Sequence, residues 1–231
     1  MESKPLISES IKADVAGFIN KVYNWMALAL LITGLVAWTV ASTPEMAYAI
    51  VSNQILFFGL LIAEVLLVGY ISGAINKLSS QTAILLFLLY SALNGLTLSV
   101  IFLAYTAGSI ATTFFICAGT FTIMSIYGYT TKTDLTRLGN LAFMALIGLI
   151  IASIVNFFLK SEMLYWIVTY VGVLIFVGLV AYDTQKIKRI GEAGFEAEEQ
   201  EQKSAVLGAL SLYLDFINLF LFLLRIFGRR K

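Results

Sequence analysis

Seven long runs of apolar residues alternate with short polar stretches along this chain of 231 residues. Each run approaches the roughly 20 residues that a helix needs to cross the hydrocarbon core of a bilayer. Because lipid offers backbone groups no hydrogen-bond partners, such runs form helices rather than open strands. The pattern predicts an all-α, multi-pass membrane protein with helices over residues 22–41, 54–75, 82–104, 108–128, 137–159, 164–185 and 204–227.

A short amphipathic stretch precedes the first span. It carries five apolar residues at helical spacing: Ile11, Val15, Phe18, Ile19 and Val22. Such spacing is typical of a helix that lies at a membrane surface. We therefore expect a cytoplasmic N-terminal segment over 1–21, a single membrane domain over 22–228 and a basic tail over 229–231. The N-terminal segment would be either an interfacial amphipathic helix or a frayed terminus. The acidic stretch 191–203, between the last two spans, is expected to be a solvated connector.

Basic residues are concentrated in alternate connections. They precede the first span and mark the second, fourth and sixth connections, whereas the other connections hold only Lys160. The positive-inside rule therefore predicts a cytoplasmic N-terminus. Seven crossings would then leave Arg229, Arg230 and Lys231 outside. Either this tail departs from the rule or the last segment does not cross completely.

The composition excludes several kinds of chemistry. The chain is 60% hydrophobic and 13% charged, and its net charge of +1 gives no reason to expect a nucleic-acid partner. It has no histidine, which removes imidazole metal sites and histidine bases. Its single cysteine, Cys117, forbids an intrachain disulfide and is expected to be a packing residue.

Two aspartates lie in the last two spans, where an ionised side chain costs about 2.5–3.5 kcal/mol near the bilayer centre. Asp183 ends the sixth span and Asp215 lies inside the seventh, so both fall in the cytoplasmic half and can meet. Two carboxylates about 4 Å apart repel by roughly 4 kcal/mol at an effective dielectric near 20. We therefore expect the pair to share one proton and to titrate as a unit. When ionised, it would offer Ca²⁺ a weak oxygen site.

The seventh span carries a polar stripe. Its members recur at steps of three and four, interrupted only by Phe222: Ser204, Gly208, Ser211, Asp215, Asn218 and Arg225. Because lipid penalises such a face, we expect it to point into protein or water, with this helix central in the bundle. We predict supporting pore or packing roles for six residues: Glu64, Asn94, Tyr182, Ser211, Asn218 and Arg225.

Several classes of seven-helix membrane protein require residues that this chain lacks. A retinal protein needs a lysine in the last helix, and membrane metal hydrolases and rhomboid-type proteases need histidine. An intramembrane aspartyl protease remains an alternative, because that class also carries a Tyr-Asp pair like Tyr182-Asp183. Its second aspartate belongs to a Gly-x-Gly-Asp motif, whereas Leu-Tyr-Leu precedes Asp215 here.

Five segments resemble the Bax inhibitor-1 (transmembrane Bax inhibitor motif) family, in its bacterial YbhL-like and YccA-like branch. They are EVLL from Glu64, LYSALNGLTLS from Leu89, YGYTTKTDL from Tyr127, AYDTQKI over 181–187 and LGALSLYLDFINLFLFLLRIFG over 207–228. The resemblance implies a non-enzymatic, pH-sensitive calcium leak, gated by the aspartate pair. It implies a bacterial inner membrane as the location, calcium as the transported ion and no tightly bound cofactor. Lipid, calcium and protons are the implied partners.

This chain departs from the family pattern at one position, and the family also suggests a second function. Some family members have an arginine latch near the end of the second helix, where this chain has Ile75, with Lys77 as the nearest base. The family's association with stress also leaves open a regulator that acts through membrane protein partners without transporting ions.

Overall fold

The computed structural model describes the backbone of residues 3–231 and the side-chain surroundings of residues 13–43, 45–50 and 52–231. Within these ranges the chain is almost entirely helical. Its elements are α1 (Ser3–Ala41), α2 (Pro44–Ser52), α3 (Gln54–Ala74), a 3₁₀ turn (Ile75–Lys77), α4 (Ser80–Ala104), α5 (Ala107–Thr130), α6 (Thr136–Leu159), α7 (Glu162–Ala193) and α8 (Glu198–Phe227).

Seven helices in the described part of the chain are long and apolar enough to cross a membrane, which confirms the predicted all-α, multi-pass class. The described chain also contains a short helix between the first two spans, α2, that was not predicted. Pro44 stands in its first turn, where the missing N–H of proline has no intrahelical acceptor in any case. Hydropathy alone gave no separate signal for this helix.

The acidic connector between the last two spans is much shorter than predicted. Helix α7 continues to Ala193 and α8 begins at Glu198, so most of the stretch 191–203 is helical. Gly194 takes the left-handed conformation (φ 76°) that ends α7. Three glutamates in the first turn of α8, among them Glu198 and Glu201, suit the positive end of its helix dipole.

The amphipathic N-terminal stretch does not form a separate surface helix. It is the first part of α1, and its residues Val15, Phe18 and Val22 are buried in protein. The ring of Phe18 lies 4.8 Å from that of Phe195, and a Cβ on Gly191 would be 3.0 Å from the Phe18 ring. The apolar face therefore packs on the connection between α7 and α8 rather than on lipid.

A salt bridge also joins the N-terminal part of α1 to the start of α8. The Lys21 Nζ atom lies 2.8 Å from Oε1 of Glu201, at the start of α8. Ile11, the first residue of the predicted face, lies outside the described side chains. Helical spacing predicted that this face is apolar, but it does not show whether lipid or protein covers the face.

The chain forms two compact units. The first contains the chain up to Tyr105 together with 189–213 and Lys231, and the second contains 106–188 and 214–230. In the first unit α1 and α4 approach closely, since a Cβ on Gly95 would lie 2.8 Å from the carbonyl oxygen of Thr33. In the second, the rings of Phe114 and Phe121 pack around Phe216 at 5.4 and 5.5 Å.

Helix α8 is the most enclosed of the membrane helices in the described chain. Of its most apolar stretch 72% is buried, against 11–39% in the other six. No member of its polar stripe is exposed. Its 30 residues would span about 45 Å at 1.5 Å per residue, more than the roughly 30 Å of a hydrocarbon core. The length favours a complete crossing, with a basic tail that departs from the positive-inside rule.

Candidate functional site

Helix α7 is fixed against α5 immediately before Asp183. Gly128 of α5 lies so close to α7 that a Cβ there would collide with the backbone of Ala181. One residue after Asp183, the hydroxyl of Thr184 lies 3.4 Å from that of Ser125 on α5. Only a glycine permits this approach of two helix backbones.

The connection between α5 and α6 is bound to α7 by Gln185. Its Nε2 atom donates to the carbonyl oxygen of Thr133 at 2.8 Å, and its Oε1 atom accepts from the backbone N–H of Leu135 at 2.8 Å. On α6, Gly139 leaves room for the ring of Tyr182, whose atoms would be 2.5 Å from a Cβ there. Tyr182 is therefore a packing residue against α6, and the residues around Asp183 set the rotation of α7.

Asp215 projects from a densely packed part of α8. Its neighbour Phe216 packs between aromatic rings of α5, and the Cys117 thiol donates to the Phe216 carbonyl oxygen at 3.6 Å. Cys117 is fully buried, in agreement with a packing role. This packing holds the backbone that carries Asp215 and limits the room for water around it.

The carboxyl groups of Asp183 and Asp215 lie within hydrogen-bonding distance of each other. Asp215 is only 4% exposed, and no N–H or O–H group in the described chain donates to its Oδ2 atom. An ionised carboxylate is an acceptor only, so two carboxyl groups form a hydrogen bond only when one carries a proton. The structure thus brings together the two residues that the sequence singled out.

The charge near this pair is limited. Lys186 lies one turn after Asp183 on α7 and is close enough for an electrostatic interaction with its carboxyl group. Nowhere in the described chain do three or more aspartate, glutamate, cysteine or histidine side chains form a cluster able to hold a metal ion. Calcium takes six to eight oxygen ligands in a tight site. Two carboxyl groups alone supply fewer oxygen ligands than such a site requires.

Glu64 belongs to a second polar cluster, in the other compact unit. Its Oε1 atom accepts from the Thr97 hydroxyl at 2.8 Å and its Oε2 atom accepts from Nδ2 of Asn94 at 3.2 Å. Glu64, Asn94 and Thr97 are each 7% exposed. Asn94 and Thr97, which share a face of α4, therefore supply hydrogen-bond donors to the carboxyl group of Glu64 on α3.

Sequence reasoning missed a buried hydroxyl pair in that unit. The Thr33 and Tyr213 hydroxyl oxygens lie 2.7 Å apart, and the Thr33 hydroxyl also meets the carbonyl oxygen of Ser91 at 2.8 Å. Tyr213 is fully buried, with its ring 5.7 Å from that of Tyr90. The available signal was a phenol inside an apolar helix, since a buried tyrosine hydroxyl usually has a partner.

The remaining predicted residues of α8 do not join the aspartate pair. Asn218 donates to the carbonyl oxygen of Leu214 on its own helix at 2.8 Å, and Ser211 is half-buried in the other unit. The Arg225 guanidinium lies over the rings of Tyr165 and Phe222, at the end of α8.

Seven apolar helices define a multi-pass membrane protein, and the last two of them contribute a pair of carboxyl groups, of which Asp215 is buried and Asp183 half-buried. The chain belongs to the Bax inhibitor-1 family, described as Inhibitor of apoptosis-promoting Bax1, which it matches over residues 15–231.

Individual relatives agree over nearly the whole length. The chain is 54% identical to Inner membrane protein YbhL of Escherichia coli K12, covering 97% of each chain. It is 49% identical to an uncharacterized protein of Borreliella burgdorferi (93% of this chain and 92% of the relative), and 41% identical to an uncharacterized membrane protein of Streptococcus pyogenes serotype M6 (92% of each). These matches and the seven helices place the chain in a bacterial inner membrane.

Proposed function

We propose that this protein is a calcium leak channel whose conductance follows the protonation of the Asp183–Asp215 pair. The observation that carries the proposal is the contact between these two carboxyl groups. That of Asp215 is almost fully buried, and no group in the described chain donates to its Oδ2 atom. Calcium is here the transported ion, not a resident cofactor. The bilayer, calcium and protons are the partners that the proposal requires.

The pair has two protonation states with opposite effects on α7 and α8. With one proton shared, the two carboxyl groups hydrogen-bond and hold the helices together. Without it, two charges about 4 Å apart at an effective dielectric near 20 repel by roughly 4 kcal/mol. Since about 1.4 kcal/mol changes an equilibrium tenfold, this repulsion is enough to shift a two-state gate by about a thousandfold.

The same charges provide the interaction with the ion. Fully ionised carboxylates are ligands that Ca²⁺ prefers, and a pair of them is too small a ligand set to retain it. A cation that reaches the pair would replace the proton as the group that neutralises it. Proton and calcium therefore compete for the same oxygen atoms.

The test is calcium flux into dye-loaded liposomes that carry the purified protein, measured from pH 5 to pH 8. We expect flux that varies with pH in the wild type and a flat response in Asp215→Asn. The matched control is Asp14→Asn, which makes the same change at an exposed position of α1 and should keep the wild-type response. Flux equal to that of empty liposomes at every pH would reject the leak.

The two other functions predict different results with the same variants. An intramembrane aspartyl protease would lose cleavage of a membrane substrate in Asp183→Asn and in Asp215→Asn. A regulator that acts only through protein partners would keep its cellular function in both. Leu-Tyr-Leu precedes Asp215 where the protease class carries Gly-x-Gly, and we therefore place the leak first.

A further inference from the structure

A basic cavity of about 570 Å³ lies at the far end of α8 from its acidic first turn. Its walls come from the junction of α6 and α7 and from the last residues of the chain. Three of its lining side chains are basic, namely Lys160, Arg225 and Arg230, and one is acidic, Glu162, which gives a formal charge of +2. Pockets of about 300–1,000 Å³ are typical of small-molecule sites.

The junction of α6 and α7 is a rigid wall of this cavity. Lys160 takes the left-handed conformation (φ 52°), so the chain turns there within two residues. Oδ1 of Asn156 accepts the backbone N–H of Ser161 at 3.0 Å, and the Ser161 hydroxyl caps the N–H of Leu164 at 3.3 Å. These polar groups are thus engaged in the turn itself, and Lys160 and Arg225 are the cationic side chains that we expect to meet a ligand.

Arg225 is held in place by aromatic rings. Its guanidinium carbon lies 5.4 Å from the ring centre of Tyr165 and 4.9 Å from that of Phe222. Contacts with ring faces orient the guanidinium but leave N–H groups along its edge to donate. A planar donor set of this kind matches two oxygen atoms of a phosphate at once.

The tail that brings Arg230 to the cavity is also fixed. The backbone N–H of Thr106 donates to the carbonyl oxygen of Arg229 at 2.9 Å. With the cytoplasmic N-terminus that the sequence predicts, this end of the unit faces outside, where membrane proteins ordinarily carry few basic residues. Trp166 and Tyr165 in the cavity wall are residue types enriched at the level of lipid headgroups.

We propose that this cavity binds a phosphate group, presented by the headgroup of an anionic phospholipid or by free phosphate. Net positive charge, an oriented guanidinium and interfacial aromatic residues together recognise this chemistry. The inference is independent of the calcium leak, because it uses none of the residues of the aspartate pair.

The experiment measures lipid and phosphate binding to the purified full chain. Native mass spectrometry compares retention of phosphatidylglycerol and of zwitterionic phosphatidylcholine by the wild type, Lys160→Gln and Arg225→Gln. Lys160 is exposed, so its variant is expected to fold even if the Arg225 variant does not. Lys132→Gln, at an exposed position in the connection between α5 and α6, removes the same charge at a site outside the cavity. A second arm measures thermal stabilisation by inorganic phosphate alone.

We expect the wild type and Lys132→Gln to retain phosphatidylglycerol over phosphatidylcholine. Lys160→Gln should reduce that preference about fivefold, as about 1 kcal/mol per basic residue near an anionic surface implies. Preference for the anionic lipid without an effect of inorganic phosphate assigns the site to a lipid headgroup, and the reverse assigns it to free phosphate. If both arms give the same values for the wild type and the cavity variants, the proposal is wrong.

Discussion

Replacing Gly128 by alanine tests the packing that positions Asp183. The new Cβ would lie 2.9 Å from the carbonyl carbon and 3.0 Å from the Cα atom of Ala181, and closer still to its carbonyl oxygen. Because these are backbone atoms, no side-chain rotation relieves the contact, and α5 and α7 must move apart. Over-packing of this kind typically costs about 1–3 kcal/mol.

Gly119→Ala is the matched control. Gly119 lies on the same helix and a Cβ there would have no neighbour within 4 Å. Both variants gain the same helix propensity, about 0.5–1 kcal/mol for Gly→Ala in a helix interior. The difference between them therefore isolates the over-packing cost.

The assay is thermal unfolding of the purified protein in detergent, followed by tryptophan fluorescence. For a chain of this size about 1 kcal/mol corresponds to roughly 2–4 °C in Tm. We expect Gly128→Ala to unfold between about 2 and 12 °C below Gly119→Ala. Equal Tm values would refute the close approach of α5 and α7 at Ala181, and with it the structural explanation for the position of Asp183.

Two other substitutions test polar contacts that hold each unit. Tyr213→Phe removes the hydroxyl that meets Thr33 at 2.7 Å and should cost about 0.5–1.5 kcal/mol, whereas an unchanged Tm would show that this hydrogen bond contributes nothing. Gln185→Leu leaves the Leu135 N–H and the Thr133 carbonyl without their partner, so hydrogen exchange of residues 131–135 should become faster. Exchange as slow as in the wild type would contradict the role of Gln185 in fixing this connection.

The membrane spans were predictable from sequence because the bilayer imposes one strong requirement, a long apolar helix. The helix ends that extend beyond the apolar spans were not predictable in this way. Polar turns such as those after Lys186 and before Ser204 have no hydropathy signal, although they are helical here. The glutamates that begin α8, among them Glu198, are favourable at the positive end of a helix dipole and were a signal for this helix start.

The aspartate pair was predictable because a carboxyl group in lipid is costly and needs a partner. The contacts that position it were not predictable, since they join residues far apart in the chain. Gln185 and Leu135 are 50 residues apart, and Cys117 and Phe216 are 99 apart. Helical spacing shows which residues share a face, and only the packed structure shows what that face meets.

The most direct test of the proposed gate is a mutant cycle on the pH profile of calcium flux. Asp183→Asn, Asp215→Asn and the double variant are compared with the wild type in liposomes from pH 5 to pH 8. If the two carboxyl groups share one proton and act as a unit, each single variant should lose the pH response as completely as the double variant. A single variant that keeps the wild-type profile, or effects that add in the double variant, would contradict a gate formed by the pair.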